Sequence, residues 1–436
     1  MNLASPDSDY LDVQEYLIGL KTRGVRLRLD RMERFMAALG HPEKTVPCVH
    51  IAGTNGKGSV CAMLDAIFRT TGWRTGLYTS PHLVKLGERV QVDRRILTEP
   101  EIVAYTRELR PIAARLADLG AADEHPSYFE FMTALAFLHF ARTGCDVSII
   151  ETGLGGRLDA TNVVAPAVSV ITSIGLDHCD LLGDSVEQIA REKAGIIKPG
   201  VPVVIGRMPA AAESVIRPIA AQRGSQVFSV AEEFGDDVER YPPTNLEGDY
   251  QRWNAATATL AARVLPSRWR LGSEVVICGL RQVDWPGRWQ RFYVDGRLFI
   301  LDAAHNSEGA QVLDINLARV ASETGRTPVV IVGVLGTARA KPLIETICRH
   351  VRELHLVVPN QARACSHAQL EALVPAWFRG TAMRTTVERL FPSPGVCAAG
   401  EGNDPLVVTG SIYLLGEVIV RLDPNRGPLE STLQDF

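Results

Sequence analysis

A glycine-rich turn that contains a lysine is the first feature of this chain that could do chemistry. Residues 50–60 read HIAGTNGKGSV, in which a short apolar run is followed by three glycines and Lys57. In such a turn, bare backbone N–H groups and a helix N-terminus converge and favour a bound phosphate. Lys57 would then bridge the β- and γ-phosphates of a nucleotide. The alternative is a glycine-rich strand-to-helix connection with a lysine on its surface.

The spacing of this turn departs by one residue from the usual phosphate-binding loop. That loop has Ser or Thr directly after its lysine, whereas Gly58 separates Lys57 from Ser59 here. It therefore stays open whether the Ser59 hydroxyl reaches a metal ion. The candidate nucleotide-binding residues of the turn are Gly53, Thr54, Asn55, Gly56, Lys57, Gly58 and Ser59.

Two more polar side chains follow predicted strands. Glu151 ends the run CDVSIIE, and His178 follows AVSVITSI within GLDHCD. Ligand sites in open α/β sheets lie at the carboxyl ends of strands, and a carboxylate there can hold Mg²⁺ against phosphates. A capping or loop role is an equal alternative for Glu151, and a lone histidine after a strand is more often structural.

Lys193 lies at an unusual place on a predicted helix. Ser185 and Gln188 form a capping box that predicts a helix start near Val186. The apolar stripe of that helix runs through Val186, Ile189, Lys193 and Ile197, whereas Glu187 and Arg191 lie on another face. A charged lysine in an apolar stripe is costly, so it should snorkel, pair or lose its proton. A deprotonated lysine can add carbon dioxide, and the two carbamate oxygens suit magnesium.

These residues need a scaffold of alternating strands and helices. Short β-branched runs predict buried strands at VPCVHIA, RTGLYTS, CDVSIIET, AVSVITSI and VPVVIGR. Stretches of helical period lie between them, and the alternation predicts an α/β fold with a mostly parallel sheet flanked by helices. After a turn-rich region a second α/β series starts at RLFILDAAH. We expect two domains, residues 1–288 and a smaller one over residues 289–436.

Composition and charge exclude several classes of protein. Hydrophobic residues make up 46% and charged residues 22%, and the formal charge is only -4. This balance is typical of a soluble globular protein without a global attraction to nucleic acid or membranes. The eight cysteines form no CxxC pair, which favours reduced thiols. The start, MNLASPDSDYLDV, predicts no signal peptide, and the apolar runs are shorter than the ~20 residues of a membrane helix. We expect a cytoplasmic protein.

The phrase AGTNGKGS resembles the P-loop of the Mur ligase superfamily, and its inserted glycine matches the folylpolyglutamate synthase and dihydrofolate synthase branch. Other motifs that resemble this family follow in the same order: YTSPHL, ERVQV, YFEF, ETGLGGRLDATN, TSIGLDH, REKAGIIK, QRWNAATA, PGRWQ, LDAAHN and VVTGS. The resemblance extends from about residue 25 to about residue 420. It implies a P-loop ATPase-like first domain, which includes the folate site, and a Rossmann-like second domain that binds glutamate.

The resemblance also implies the ligands of a metal and nucleotide site. Two Mg²⁺ ions would be held by Ser59, Ser80, Glu151, His178 and a carbamate on Lys193. ATP would contact Asn254, meet Arg288 at its phosphates and place its ribose against Asp302. Asn254 is a poor interior helix former and could instead be an exposed residue, and Arg288 alone would be a solvated loop cation.

Substrate contacts are implied in the same way. His305 and Ser411 would lie at the incoming glutamate, although each follows a strand and could simply be part of a helix cap. The pterin end would lie against Phe129, Asp159 and Ala160, with plain core packing as the alternative for Phe129. Lys57, Lys193 and His305 are the implied catalytic residues.

The implied reaction is ATP-driven amide formation through an acyl phosphate. We expect a monomer that joins L-glutamate to dihydropteroate and to reduced folates; an enzyme with one of these activities is the nearer alternative. A cell-wall Mur ligase is more distant, since about 50 residues before the loop fall short of an ordinary domain of ~100. A regulatory nucleotide switch is the third alternative, because DLLG at 180–183 mimics a switch motif.

Two departures from the family pattern stand out. Ser307 follows the His–Asn pair where the family often has proline. The segment GTARAK replaces an acidic–lysine–acidic trio, and Lys341 is the candidate substitute for its lysine.

Overall fold

The computed structural model describes residues 6–22, 28–118 and 125–434. The first five residues, part of the stretch that predicts no signal peptide, lie outside these ranges. Across the described ranges, no helix has both the length and the apolar character needed to cross a membrane. The eight cysteines all lie in the described chain, and each is a free thiol.

The first sheet is mostly parallel. Its strands are β1 (Cys48–Ala52), β2 (Thr75–Tyr78), β3 (Val90–Val92), β4 (Arg95–Ile96), β5 (Val147–Glu151), β6 (Val168–Ile171), β7 (Val203–Ile205) and β8 (Val227–Ser229). They lie in the order β4-β3-β2-β5-β1-β6-β7-β8. At one edge, β3 pairs antiparallel with both β2 and β4.

The second sheet follows the same plan on a smaller scale. Its strands are β9 (Gln290–Val294), β10 (Arg297–Asp302), β11 (Val329–Val332), β12 (Glu353–Leu356), β13 (Thr381–Arg384) and β14 (Leu406–Thr409). They lie in the order β13-β12-β11-β14-β10-β9, and β9 pairs antiparallel with β10. A domain boundary at residue 288 would fall just before β9 and stays a prediction.

Helices cover the sheets. They are α1 (Pro6–Lys21), α2 (Leu29–Ala38), α3 (Lys57–Thr70), α4 (Glu99–Asp118), α5 (Tyr128–Thr143), α6 (Cys179–Leu182), α7 (Val186–Ala194), α8 (Ala210–Gln222), α9 (Val230–Phe234), α10 (Asp249–Val264), α11 (Ser273–Leu280), α12 (Ser307–Thr324), α13 (Thr337–Ile347), α14 (His367–Ala372), α15 (Val387–Leu390) and α16 (Ile412–Leu422). On β1, Val49 and Ile51 pack in the core with α3, α10 and α11, while Cys48 packs in the core with α1, α2, α4 and α5. Alternate residues thus face two apolar layers, which is why the strands read as continuous apolar runs.

The register of the first sheet brings three strand ends together. Ile51 lies opposite Glu151 on β5, and Ala52 lies opposite Ile171 on β6. Because parallel strands end at the same edge, the loop after β1, the carboxylate of Glu151 and the segment after β6 become neighbours. In the second sheet, Asp302 lies opposite Thr409, so the segments after β10 and β14 are also adjacent.

The predicted α/β fold and the start of α7 at Val186 are confirmed. Half of the predicted capping box is wrong. Ser185 Oγ accepts from the Gln188 N–H, as expected, but Gln188 Oε1 accepts from the N–H of Asp184 at 2.7 Å. Ile197 is buried but lies beyond the end of α7. Sequence period alone does not show where a short helix ends, because buried residues continue past it.

Candidate functional site

One cavity of about 780 Å³ lies where strand ends of both sheets meet. The predicted residues that line it are Gly53, Thr54, Asn55, Gly56, Lys57, Gly58, Ser59, Ser80, Glu151, His178, Lys193, Asn254, Arg288, Asp302, His305 and Ser411. Phe129, Asp159 and Ala160 are not among its lining residues. The cavity therefore unites the predicted nucleotide, metal and glutamate residues but not the predicted pterin residues.

The glycine-rich loop is held in place by the segment after β6. The N–H of Asn55 donates to Ser173 Oγ at 3.0 Å, and the N–H of Thr54 donates to the Ser173 carbonyl at 2.8 Å. Thr54 Oγ1 accepts from the N–H of Gly175 at 3.0 Å. The loop is thus fixed before any ligand binds, with the N-terminus of α3 facing the cavity as an anion site.

Two of the loop glycines are required by close packing. Gly56 has φ +84°, and a Cβ atom there would lie 2.3 Å from Oδ1 of Asn254. A Cβ at Gly58 would lie 2.7 Å from the ring of Trp285. The inserted glycine therefore leaves room for Trp285, which lies in the segment between α11 and β9. This gives the offset spacing a physical reason.

Two lysines converge on the loop. Lys57 Nζ donates to the carbonyls of Gly53 and Thr54 at 3.1 and 3.2 Å, and Lys193 Nζ donates to the Gly53 carbonyl at 2.7 Å. Lys193 is only 4% exposed, so the prediction that it is no ordinary surface lysine is confirmed. Burial, together with the charge of Lys57, lowers the pKa of Lys193 to about 7. A substantial fraction of neutral amine is therefore present near neutral pH.

Oxygen atoms lie beside these lysines. Glu151 is buried at the end of β5, and its Oε2 accepts from the backbone N–H of Ser80 at 3.1 Å. Burial raises the pKa of Glu151, while the charge of Lys57 acts against that rise. Ser59 Oγ accepts from Nε2 of Gln251 at 3.3 Å, which orients the hydroxyl. Glu151, Ser80 and Ser59 thus line the same cavity as the two lysines.

An ion cluster spans the two sheets at the cavity. Asp177, which follows β6, pairs with Arg339 on α13 and lies 3.8 Å from Nε2 of His305. Burial alone would raise the pKa of Asp177, but the neighbouring His305, followed by the charges of His178 and Arg339, holds it well below its ordinary value. Burial lowers the pKa of His178 to about 4, so its ring is neutral near pH 7. Asp177 and Arg339 were missed by sequence reasoning.

The GTARAK segment places a different cation at the site from the expected one. Lys341 is exposed and is not among the residues that line the cavity, whereas Arg339 lines it. Lys341 therefore does not line the cavity, and its role as the substitute for the family's lysine stays a prediction. On α13, residues two apart point about 200° apart around the helix axis, so only one of the two can face the cavity. That periodicity was the available signal.

A second link joins the loop to α12. Asn55 Nδ2 donates to Oε2 of Glu308 at 2.5 Å, and Asn306 Nδ2 donates to Oδ1 of Asn55 at 3.0 Å. Asn306 also caps α12, since its Oδ1 accepts from the N–H of Gly309 at 2.9 Å. The cap of α12 is thus Asn306 and not His305. The Nδ1 atom of His305 lies 2.8 Å from the Ala303 carbonyl oxygen.

Three further predicted site residues, Asn254, Asp302 and Ser411, lie in the wall of the cavity. Asn254 Nδ2 donates to Oε1 of Gln251 at 3.0 Å, and Asp302 accepts from the N–H of Trp289 at 3.1 Å. Burial raises the pKa of Asp302, and the charge of the neighbouring Arg288 opposes the rise. Ser411 Oγ caps α16 by accepting from the N–H of Leu414 at 3.1 Å, so the capping alternative is also correct for it.

The predicted pterin residues lie behind the cavity wall. Asp159 is buried and accepts from the N–H groups of Leu154 and Thr161 at 2.8 and 3.0 Å. Phe129 packs against Tyr78, with ring centroids 6.0 Å apart. Its ring also lies where a Cβ on Gly153, a cavity residue, would sit. The core alternative describes the position of Phe129 here, and a pterin contact stays a prediction.

The chain is similar in sequence to known proteins. Residues 51–240 match the family model of the Mur ligase middle domain. The dihydrofolate synthase/folylpolyglutamate synthase of Bacillus subtilis is 38% identical over 325 residues, which are 70% of this chain and 75% of that protein.

Two solved structures are similar over nearly the whole chain. The folylpolyglutamate synthase of Mycobacterium tuberculosis, complexed with ADP and AMPPCP, has a TM-score of 0.83 at 28% identity and covers 97% of this chain and 100% of its own. Escherichia coli FolC, in complex with DHPP and ADP, has a TM-score of 0.81 at 29% identity and covers 95% and 98%.

Proposed function

Since the chain belongs to the folylpolyglutamate synthase and dihydrofolate synthase family and is an ATP-dependent folate–glutamate ligase, we propose that it has both synthase activities. It would join L-glutamate to dihydropteroate, forming dihydrofolate, and to the γ-carboxylate of reduced folates. The bound DHPP and ADP of the Escherichia coli relative support dihydropteroate as a substrate. The name of the Bacillus subtilis relative, which carries both activities, supports the pair.

The observation that carries the proposal is the single cavity shared by residues of both sheets. The glycine-rich loop with Lys57 lies on the side of the first sheet, and His305 and Arg339 come from the side of the second. The loop and Lys57 suit a triphosphate, and Arg339 beside His305 suits the carboxylates of an amino acid. A ligase needs both at one place, because the activated acid must meet the amine before water does.

The reaction balances as two transfers. A carboxylate oxygen of the folate substrate attacks the γ-phosphorus of ATP, the bond to ADP breaks, and an acyl phosphate forms. The neutral amine of glutamate then attacks the acyl carbon, the bond to phosphate breaks, and the amine loses a proton. Lys57, at the N-terminus of α3, is placed to offset the charge that develops on the transferred phosphoryl group. His305 would orient the amino acid.

The residues present fit magnesium. Among the described residues, no group of three His, Cys, Asp or Glu side chains gathers to hold a metal without other ligands. Oxygen atoms of Glu151, Ser80 and Ser59 nevertheless suit Mg²⁺ when phosphate oxygens complete the shell. Bound there, the ion would neutralise phosphate charge. His178 would add a nitrogen. Lys193 offers oxygen only as a carbamate, and its buried amine with a pKa of about 7 meets the condition for forming one.

Product analysis by mass spectrometry tests the proposal. Purified protein is incubated with ATP, magnesium and glutamate, and with dihydropteroate, tetrahydrofolate or no acceptor. We expect a glutamate adduct with each acceptor and little ADP without one. An adduct with only one acceptor would leave the enzyme with a single activity. ATP hydrolysis that ignores both acceptors would favour a nucleotide switch instead.

A further inference from the structure

We propose that Glu430 and Gln434 are positioning residues for the ligase reaction, because the segment they belong to fixes the loop that carries Ser80. This segment, Leu429–Gln434, is called the strap below. It follows α16 and lies against α1 and against α5, where the Tyr128 hydroxyl donates to the Leu433 carbonyl at 2.7 Å. The inference rests on the proposed roles of Ser80 and Glu151.

Glu430 is the centre of the strap's contacts. The residue is 7% exposed, yet its carboxylate has several partners. Oε2 accepts from the N–H of Leu86 at 2.5 Å, and Oε1 accepts from the hydroxyl of Tyr10 at 2.9 Å. Lys85 Nζ lies 3.6 Å from Oε1. A buried carboxylate that binds a loop N–H and a loop lysine fixes that loop strongly.

The strap also binds the loop through its backbone and its last amide. The N–H of Glu430 donates to the Val84 carbonyl at 3.0 Å, and Gln434 Nε2 donates to the Leu83 carbonyl at 2.7 Å. His82 Nε2 contacts the Glu430 carbonyl at 3.2 Å. Every residue from 82 to 86 therefore contacts the strap through a backbone atom or a side-chain atom.

Arg89 locks the end of the strap onto the same loop. It is fully buried, and its Nη2 donates to the carbonyls of Leu433 and Gln434 at 3.2 and 2.6 Å. Its Nε donates to Nδ1 of His82 at 3.0 Å, which leaves the proton of that neutral ring on Nε2, facing the Glu430 carbonyl. Leu433 is buried in the core formed with α1, α2, α4 and α5.

The loop is held from the second sheet as well. Leu83 packs in one core with Leu414, Leu415 and Val418 of α16, the helix that Ser411 caps. A Cβ on Gly416 would lie 2.3 Å from the Leu83 carbonyl and 3.2 Å from Nε2 of Gln434. The loop is thus enclosed between α16 and the strap.

The functional consequence arises at the start of the loop. Ser80 and Pro81 line the cavity, and the Ser80 N–H donates to Glu151, while the strap grips the chain from His82 onward. Only Pro81, which also lines the cavity, lies between Ser80 and His82, the first residue that the strap contacts. Release of the strap therefore shifts Ser80 relative to Glu151, and a displacement of about 1 Å in such a position can cost on the order of a hundredfold in rate.

The experiment compares Glu430→Ala and Gln434→Ala with Thr432→Ala, whose side chain is exposed on the same strap. Glu430→Gln serves as the conservative rescue, since its amide oxygen can still accept from Leu86. The amides of residues 83–85 donate to Glu88 within the loop, so hydrogen exchange is measured at the Leu86 amide, which donates to Glu430. The exchange is followed in the nucleotide-free protein, and kcat and KM are measured in the full reaction. Unfolding transitions establish that each variant is folded.

We expect the two disruptive variants to exchange the Leu86 amide faster and to lose at least about tenfold in kcat, with KM for glutamate changed less than twofold and ATP-analogue binding retained. Thr432→Ala should behave as the wild type, and Glu430→Gln should recover most of the loss because its amide oxygen can still accept from the Leu86 N–H. A folded Gln434→Ala or Glu430→Ala with faster exchange but unchanged kcat would overturn the proposal, as would unchanged exchange. If the wild type makes no ligation product, the proposed function is wrong. The exchange measurement still tests, independently, whether the strap holds the loop.

Discussion

Lys57 and Lys193 donate hydrogen bonds to one acceptor, the carbonyl oxygen of Gly53, at 3.1 and 2.7 Å. Burial first, and then the charge of Lys57, lower the pKa of Lys193 to about 7. The arrangement prepares Lys193 to become a neutral amine, while Lys57 lies at the N-terminus of α3, where a phosphate would bind. This division of roles underlies the first prediction.

Lys193→Ala should abolish ligation while leaving ATP binding largely intact, because Lys57 and the loop remain. The matched control is Arg191→Ala, an exposed residue of the same helix, which should retain wild-type turnover. Calorimetry with an ATP analogue and mass spectrometry of the product provide the two measurements. Near-normal ligation by Lys193→Ala would refute a metal-bridging carbamate.

Gly58→Ala should weaken ATP-analogue binding and stability, because the added methyl meets the ring of Trp285 at 2.7 Å. Overpacking of this kind typically costs about 1–3 kcal/mol. Trp285→Leu in the same chain should recover part of the loss by making room. Gly19→Ala, at a site with open space around it, is the control. No recovery in the double variant would argue against the Trp285 contact as the cause.

Arg339→Ala should raise KM for glutamate by about tenfold or more, because losing a hydrogen bond to a charged group costs about 1.5 kcal/mol or more of binding free energy. Lys341→Ala, two residues away on the exposed face, should leave KM unchanged. Steady-state kinetics at saturating ATP measures both. An equal effect of the two substitutions would mean that the general charge of the segment matters and not its cavity contact.

Stability should depend on pH through His50, which is fully buried beside Thr161. Burial, aided by the charge of Lys198, lowers the pKa of His50 to about 3. The unfolded chain therefore binds a proton below pH ~6.5 that the folded chain does not, so this contribution is present above that pH and is lost as the pH falls toward 3.

In denaturant titrations, the wild type should lose about 1.4 kcal/mol more per pH unit than His50→Gln does over the window from about pH 6 to pH 4. The comparison cancels the carboxylates that titrate in the same range. Parallel pH profiles for the two proteins would show that His50 is protonated equally in both states.

The site residues that could be predicted from the sequence are those that lie in a recognisable local pattern. Lys193 could be found because a helical stripe reports burial without any knowledge of neighbours, and Glu151 because a strand end is a ligand position in this fold class. The Asp177–Arg339 pair joins residues 162 positions apart, and nothing local links them. The contact of Gly58 with Trp285 was hidden for the same reason. The antiparallel strand β3 was too short to show a period.

Isotope transfer tests the central claim, an acyl phosphate formed in the shared cavity, most directly. Dihydropteroate labelled with ¹⁸O in both carboxylate oxygens is converted with ATP, magnesium and glutamate, and the phosphate and amide are analysed by mass spectrometry. The account predicts one labelled oxygen in each released phosphate and one in each amide carbonyl. Ligation that releases unlabelled phosphate would contradict it.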